Sequence, residues 1–273
     1  MKKIILASDG KNLPKGAFEF IKQLQQAEPL LLTGVFLRPV NFEQFLPNVF
    51  AIYAGPAEEL LEEEKAVYEK NIRQFETVCQ HNGIEYRVHE ESEHWDISEL
   101  EKETRFADMM IMSEELFCTD LNASQPNAFM QQAIHRSECP VILVPEEFKM
   151  FNKIVIAYDG GKDSMFALKQ FCNCFPQFKQ METLIIYANA EANDEMPQIA
   201  YIEEYAGRHF SHLNFEKLHF KGQEYFESWV KENSEMLLVC GSYSQPGVYT
   251  LLRKSFAKDI IRNHTAPLFI AHH

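Results

Sequence analysis

The chain has 273 residues, of which 46% are hydrophobic and 24% are charged; this balance is typical of globular proteins, and the length suits two domains. Its net charge of −14 excludes a general DNA- or RNA-binding protein, because an acidic surface repels nucleic-acid backbones. No apolar run is long enough to cross a bilayer, and the run after Lys2 and Lys3 is too short for a signal peptide. We therefore expect a cytoplasmic protein without a membrane partner.

Apolar strand-like runs alternate with amphipathic helices along the whole chain. In the first half we predict strands at about 3–8, 30–37, 84–89, 107–112 and 140–144, and helices at about 13–27, 57–81, 95–105 and 124–137. In the second half we predict strands near 153–158, 182–188, 214–220, 236–240 and 267–271, and helices near 163–174, 197–213, 223–232 and 248–263. Alternating elements with uniformly apolar strands indicate an α/β fold with parallel sheets covered on both faces.

The two halves repeat one another. Residues 2–10 read KKIILASDG and residues 152–160 read NKIVIAYDG, with five of nine positions identical. Both halves also end in a short apolar run that a proline opens, CPVILV at 139–144 and APLFIA at 266–271. The repeat predicts two doubly wound five-stranded domains in tandem, 1–147 and 151–273. The linker near 145–151 is short and should keep them closely packed. The aromatic segment 39–56 lacks periodicity, and we interpret it as a packed surface loop.

Strand one of each half ends in the same dipeptide, Asp9-Gly10 and Asp159-Gly160, and the second copy continues into Gly161. Ligands of doubly wound sheets sit beyond the carboxyl ends of the strands, so these residues are candidates for a site. The chain resembles the universal stress proteins, which have an Asp at this point, a Gly or Ser turn and a helix with a central Ala. Ala167, and more loosely Ala17, match that alanine. The resemblance implies an adenine-nucleotide-hydrolase-like, Rossmann-like fold. It also implies that Asp159 faces the adenosine part of ATP.

The resemblance extends to the loop after the fourth strand of the second half. The family's phosphate loop has the pattern G-x-x-G-x9-G-[ST], in which glycines let backbone amides approach phosphate. On that register Gly241 matches the first glycine and Ser255 the final serine, while Ser244 and Lys254 replace the other two glycines. Gly247 lies where many bacterial members have an extra glycine. The implied ligand is ATP or another adenine nucleotide with Mg²⁺, bound through Asp159, Gly160, Gly161, Gly241, Ser244, Gly247, Lys254 and Ser255.

The first half lacks such a loop. Its first-glycine position falls on Glu114, beside Glu115, and no glycine occurs in 112–128. Carboxylates oppose phosphate binding, and this half is the more acidic, with 14 basic against 26 acidic side chains in residues 1–150, net −12. We expect the first half to be a structural partner of the second, without ATP.

Two other functions are compatible with the sequence. The stretch Asp159–Ser164 resembles the SGGxDS loop of ATP pyrophosphatases, although Asp159 would put a negative charge at the pyrophosphate. The degenerate glycines favour a protein-interaction or small-ligand module that binds no nucleotide.

We expect no catalytic residues and no metal site. There is no GxSxG nucleophile elbow, and the six cysteines have no zinc-finger spacing and are predicted to be reduced and buried. His209 and His212 are predicted to lie three apart on a surface helix, with no third ligand near them. By resemblance, the two halves should pair through their last strands, and a homodimer is compatible with this arrangement.

Overall fold

The computed structural model describes residues 1–8, 10, 12–36, 56–89, 97–113, 128–188, 195–218, 229, 233, 235–241 and 266–272. Apart from Trp229, the predicted helices at 223–232 and 248–263 lie outside these ranges. So does the aromatic segment 39–56, apart from Pro56. Among the described residues, no helix is long and apolar enough to cross a membrane.

The first half alternates strands and helices as predicted. Its described elements are β1 (Lys2–Ser8), α1 (Lys15–Ala27), β2 (Leu30–Phe36), α2 (Pro56–His81), β3 (Glu85–His89), α3 (Ile97–Arg105), β4 (Met109–Ser113), α4 (Ala128–Arg136) and β5 (Val141–Val144). The second half repeats the plan with β6 (Lys153–Ala157), α5 (Lys162–Cys174), a 3-10 helix (Pro176–Gln180), β7 (Glu182–Ala188), α6 (Ile199–His209), β8 (His212–Leu218), β9 (Met236–Cys240) and β10 (Leu268–Ile270).

All ten described strands form a single sheet in the order β3-β2-β1-β4-β5-β10-β9-β6-β7-β8. Within each half every pairing is parallel, which confirms the predicted α/β fold with two doubly wound five-stranded halves. The last strands β5 and β10 pair antiparallel, with Phe269 opposite Ile142. Because this one junction is antiparallel, the strands of the two halves point in opposite directions. Their carboxyl ends therefore lie at opposite edges of the sheet.

Apolar side chains fill both faces of the sheet. One core joins strand residues such as Ile4 and Ile154 to helices α1, α2, α5 and α6. The other joins the alternate strand residues, such as Ile5 and Val155, to α3, α4 and Trp229. The alternation arises because successive side chains of a strand point to opposite faces. It explains why these strands are apolar throughout.

The short linker runs along α1 and builds a cluster of aromatic rings between the halves. Phe20 of α1 contacts Phe148 and Phe151 of the linker, with ring centroids 5.5 and 6.4 Å away, and Phe175 at the end of α5, 6.4 Å away. A side chain at Gly16 would overlap the carbonyl group of Pro145. The linker therefore packs against the body of the protein, as its length predicted.

The predicted helix at 197–213 is wrong at its carboxyl end. Helix α6 ends at His209, because buried Phe210 adopts an extended conformation with φ −124° and ψ 128°. His212 is the first residue of β8, so His209 and His212 do not share a helical face. No group of three or more metal-ligating side chains occurs among the described residues.

Candidate functional site

Strand order reverses between β6 and β9 in the second half, and the candidate residues that the structure describes lie at that point. Strand β6 ends at Ala157, and Tyr158, Asp159, Gly160 and Gly161 lead into α5. Gly160 has φ +78°, in the left-handed region that glycine adopts without steric cost. Gly10, its counterpart after β1, has φ +71°. The glycine after strand one thus has the same left-handed conformation in both halves. Asp9 lies outside the described residues.

The carboxylate of Asp159 holds this turn together. Its Oδ1 accepts a hydrogen bond from the backbone N–H of Gly161 at 2.8 Å and another from the hydroxyl of Ser164 at 2.7 Å. The Ser164 hydroxyl also lies 2.9 Å from the carbonyl oxygen of Gly161. A side-chain oxygen bonded to the N–H two residues on is the Asx-turn that Asp favours. This oxygen of Asp159 therefore stabilises the start of α5.

Gly241 brings the end of β9 against the same helix. A Cβ added at Gly241 would lie 2.6 Å from the carbonyl carbon of Asp163 and 2.8 Å from the backbone nitrogen of Ser164. Only a residue without a side chain allows this approach, so the loop after β9 begins beside the first turn of α5. The amino end of a helix carries unpaired N–H groups and a partial positive charge, which favour anions.

The structure therefore brings Gly241 close to Asp159, Gly160 and Gly161, although it lies about 80 residues further along the sequence. Ser244, Gly247, Lys254 and Ser255, the remaining predicted site residues, lie outside the described residues. Ala167 of α5 and Ala17 of α1, the helix alanines of the motif, are both fully buried. They pack their helices closely on the sheet.

No sequence pattern predicted that a proline covers the turn. A Cβ added at Gly160 would lie 2.5 Å from Cγ of Pro197, and the hydroxyl of Tyr158 donates a hydrogen bond of 3.0 Å to the carbonyl oxygen of Pro197. Burial raises the pKa of Tyr158, and the negative charge of Asp159 raises it further. The hydroxyl therefore stays protonated and can donate. Pro197 is the first residue of the helix predicted at 197–213, and a proline in that place indicates a helix start rather than a contact.

The corresponding turn in the first half is covered by a helix side chain. A Cβ at Gly10 would lie 2.6 Å from Cδ2 of Tyr68, a residue of α2 that is 8% exposed. The Tyr68 hydroxyl donates to the carbonyl oxygen of Phe36 at 3.1 Å, and Asn71 Nδ2 donates to the carbonyl oxygen of Gly10 at 3.0 Å. Side chains of α2 therefore cover Gly10 and the end of β2.

A shallow surface depression lies elsewhere, at the amino end of β1, where Lys2, Leu24, Glu28 and Cys174 contribute to its lining. It is remote from Asp159 in the fold, because α5 runs from the candidate site at its amino end to Cys174 at its carboxyl end.

Solved structures of two universal stress proteins share this fold over the whole chain. One, from Archaeoglobus fulgidus DSM 4304, matches 100% of this chain and 96% of its own with a TM-score of 0.70 and 16% sequence identity. The other, a putative universal stress protein from Pseudomonas aeruginosa UCBPP-PA14, matches 100% of this chain and 93% of its own with a TM-score of 0.56 and 13% identity. A functionally unknown protein from Pseudomonas aeruginosa PAO1 matches 100% and 92%, with a TM-score of 0.53 and 11% identity.

No protein-family model and no curated protein matches the sequence. The fold is that of the universal stress proteins, and the resemblance that the repeat and the strand-one motif indicated is confirmed at the level of the fold.

Proposed function

We propose that the protein is a non-catalytic stress-response protein of the tandem universal-stress type, with domains 1–147 and 151–273, and that its second domain binds an adenine nucleotide. The single observation that carries the proposal is the approach of Gly241 to the first turn of α5, beside the Asp159–Gly161 turn. It puts the start of the loop after β9 next to a helix amino terminus, an arrangement that suits a phosphate.

The described residues fit such a ligand in part. Gly160, Gly161 and Gly241 have no side chains that would keep a phosphate from their backbone N–H groups. Asp159 supplies a carboxylate beside them. Mg²⁺ would accompany ATP. The protein is proposed to be cytoplasmic, and the degenerate first domain to serve as the structural partner of the second.

The experiment exploits the two missing glycines. We would measure Mg-ATP binding by titration calorimetry to the wild-type protein and to the double variant Ser244→Gly, Lys254→Gly, which restores the complete phosphate-loop pattern. If the loop after Gly241 holds phosphate, the double variant should bind at least as tightly as the wild type, and Asp159→Asn should weaken binding while keeping the turn. Asp9→Asn is the matched control in the first domain and should leave binding unchanged.

Absence of heat and of thermal stabilisation in both the wild type and the double variant at millimolar nucleotide would contradict the proposal. A ligand at about 100 times its Kd raises the free energy of unfolding by about 2.7 kcal/mol, which a thermal shift detects.

The rival function is a small-ligand or protein-interaction module without nucleotide. It is favoured by the engagement of Asp159 Oδ1 with Gly161 and Ser164, which uses that oxygen within the protein. The calorimetric test separates the two.

An adenylating enzyme of the ATP-pyrophosphatase type is the third candidate, and pyrophosphate release from ATP would be its signature.

A further inference from the structure

The two halves close the turn after their first strand in different ways. In both, a ring lies against the glycine with positive φ: Tyr68 against Gly10, and Pro197 against Gly160. The two rings differ in how firmly they are held.

Tyr68 is a fixed cover. It lies within the long helix α2, its ring packs edge-on against Phe36 with centroids 6.0 Å apart, and its hydroxyl is bonded to the Phe36 carbonyl. Asn71, one turn along the same helix, binds the carbonyl of Gly10. Moving this ring would require moving α2, which also places Phe75 and Cys79 in the core.

Pro197 is held far less firmly. It precedes α6 rather than belonging to it, it is only partly buried, and the hydrogen bond from the Tyr158 hydroxyl to its carbonyl oxygen joins it to the turn. The next residue, Gln198, has φ +54°, and among the described residues it is the one non-glycine with positive φ. A non-glycine residue in this conformation carries a steric cost, and such residues cluster at ligand clamps and switch regions.

We propose that residues 195–198, hereafter the strap, are a displaceable gate over the Asp159–Gly160 turn, closed by the Tyr158–Pro197 hydrogen bond. Any group of a ligand that lies over Gly160 must take the place of the Pro197 ring. The strap therefore competes with the occupant of the second-half site, while the first-half turn stays closed. The competition with ligand rests on the proposed nucleotide site; the opening of the strap does not.

Opening is measured by thiol labelling. Met196 is a strap residue whose side chain is 9% exposed and packs in the core, so Met196→Cys puts a thiol on the buried side of the strap. Labelling by N-ethylmaleimide, followed at peptide level by mass spectrometry, reports opening, while the native buried thiols of Cys79 and Cys172 report global unfolding in the same molecule. The introduced thiol should label well ahead of these two. Tyr158→Phe should speed its labelling about 2- to 10-fold, the factor that corresponds to one net hydrogen bond.

Tyr201→Phe is the matched control, because Tyr201 is a 76% exposed residue of α6, close to the strap in sequence; it should not change the labelling rate. The proposed gate would be overturned if the introduced thiol were labelled at the same rate as Cys172. It would also be overturned if Tyr158→Phe left the labelling rate of the introduced thiol unchanged.

Adding Mg-ATP to the labelling experiment distinguishes a failure of the proposed gate from a failure of the proposed nucleotide binding. Nucleotide should speed labelling of the introduced thiol in the otherwise wild-type protein, and Tyr158→Phe should lower the Kd for nucleotide by the same factor. If nucleotide binds and labelling does not respond, the competition is wrong. If no nucleotide binds while Tyr158→Phe still speeds labelling, the proposed function fails for ATP and the gate stands.

Discussion

Gly241, the residue after β9, touches the backbone of Asp163 so closely that an added Cβ would come within 2.6 Å of its carbonyl carbon. The contact joins the fourth strand of the second half to the helix that follows its first strand. It fixes where the loop after β9 starts.

Gly241→Ala should therefore destabilise the protein. The obstacle is backbone rather than a flexible side chain, so the helix or strand must shift, at a cost of about 1–3 kcal/mol in the free energy of unfolding. Gly207→Ala in α6 is the matched control, since its added Cβ meets no atom within 4 Å; it should be neutral or stabilise by up to about 1 kcal/mol. Urea denaturation of both variants gives the comparison, and equal effects would contradict the close approach.

Asp159 is predicted to act on stability through its acceptor oxygen and not its charge. Asp159→Ala removes the acceptor for Gly161 N–H and the Ser164 hydroxyl and should lower the free energy of unfolding by about 1–2 kcal/mol. Asp159→Asn keeps an oxygen in the same place and should cost clearly less. Thermal melts at neutral pH rank the variants; an Asn variant as unstable as the Ala variant would show that charge matters instead.

The ring cluster around Phe20 should make the two halves unfold together. Phe20 is fully buried and contacts Phe175 of the other half, so Phe20→Ala should cost about 3–5 kcal/mol. Phe106→Ala, at a 70% exposed position, should change stability by no more than about 0.5 kcal/mol.

The chain has one tryptophan in each half, Trp95 and Trp229, so single-tryptophan variants report the halves separately. Their fluorescence should give one denaturation midpoint; two separated midpoints would contradict the coupling.

Alkaline pH should weaken the fold through its buried thiols. Burial raises the pKa of the Cys79 and Cys172 thiols to about 12, and of Cys174 to about 11, from an ordinary value of 9.0. A raised folded-state pKa means that this stability is complete below pH 9 and falls as the pH rises toward 12. Each such thiol contributes a slope of up to about 1.4 kcal/mol per pH unit. Urea midpoints from pH 8 to 10.5 should fall with this trend, and Cys79→Ala should make the decline shallower. An unchanged slope in that variant would show that other groups govern the alkaline limit.

Much of the fold follows from local patterns. The periodicity of hydrophobic residues predicted the positions of strands and helices. The Asp-Gly dipeptides indicated turns with a backbone conformation that only glycine adopts easily. Errors occurred where local signals conflict: the apolar residues around Phe210 continue the helical pattern of α6, but burial against the core holds Phe210 extended and starts β8.

For the candidate site, the sequence by itself determined that Asp159, Gly160, Gly161 and Gly241 follow strand ends, and hence that they share one edge of a parallel sheet. It also determined the duplication, because a repeat is visible without coordinates. Tertiary structure alone decided that β5 and β10 run antiparallel, which sends the two strand-one turns to opposite edges. It alone decided that Tyr68 closes one turn and Pro197 the other. Period and turn chemistry are properties of neighbouring residues, whereas the choice of a ring to cover a glycine depends on contacts between segments 37 to 58 residues apart, which no local pattern encodes.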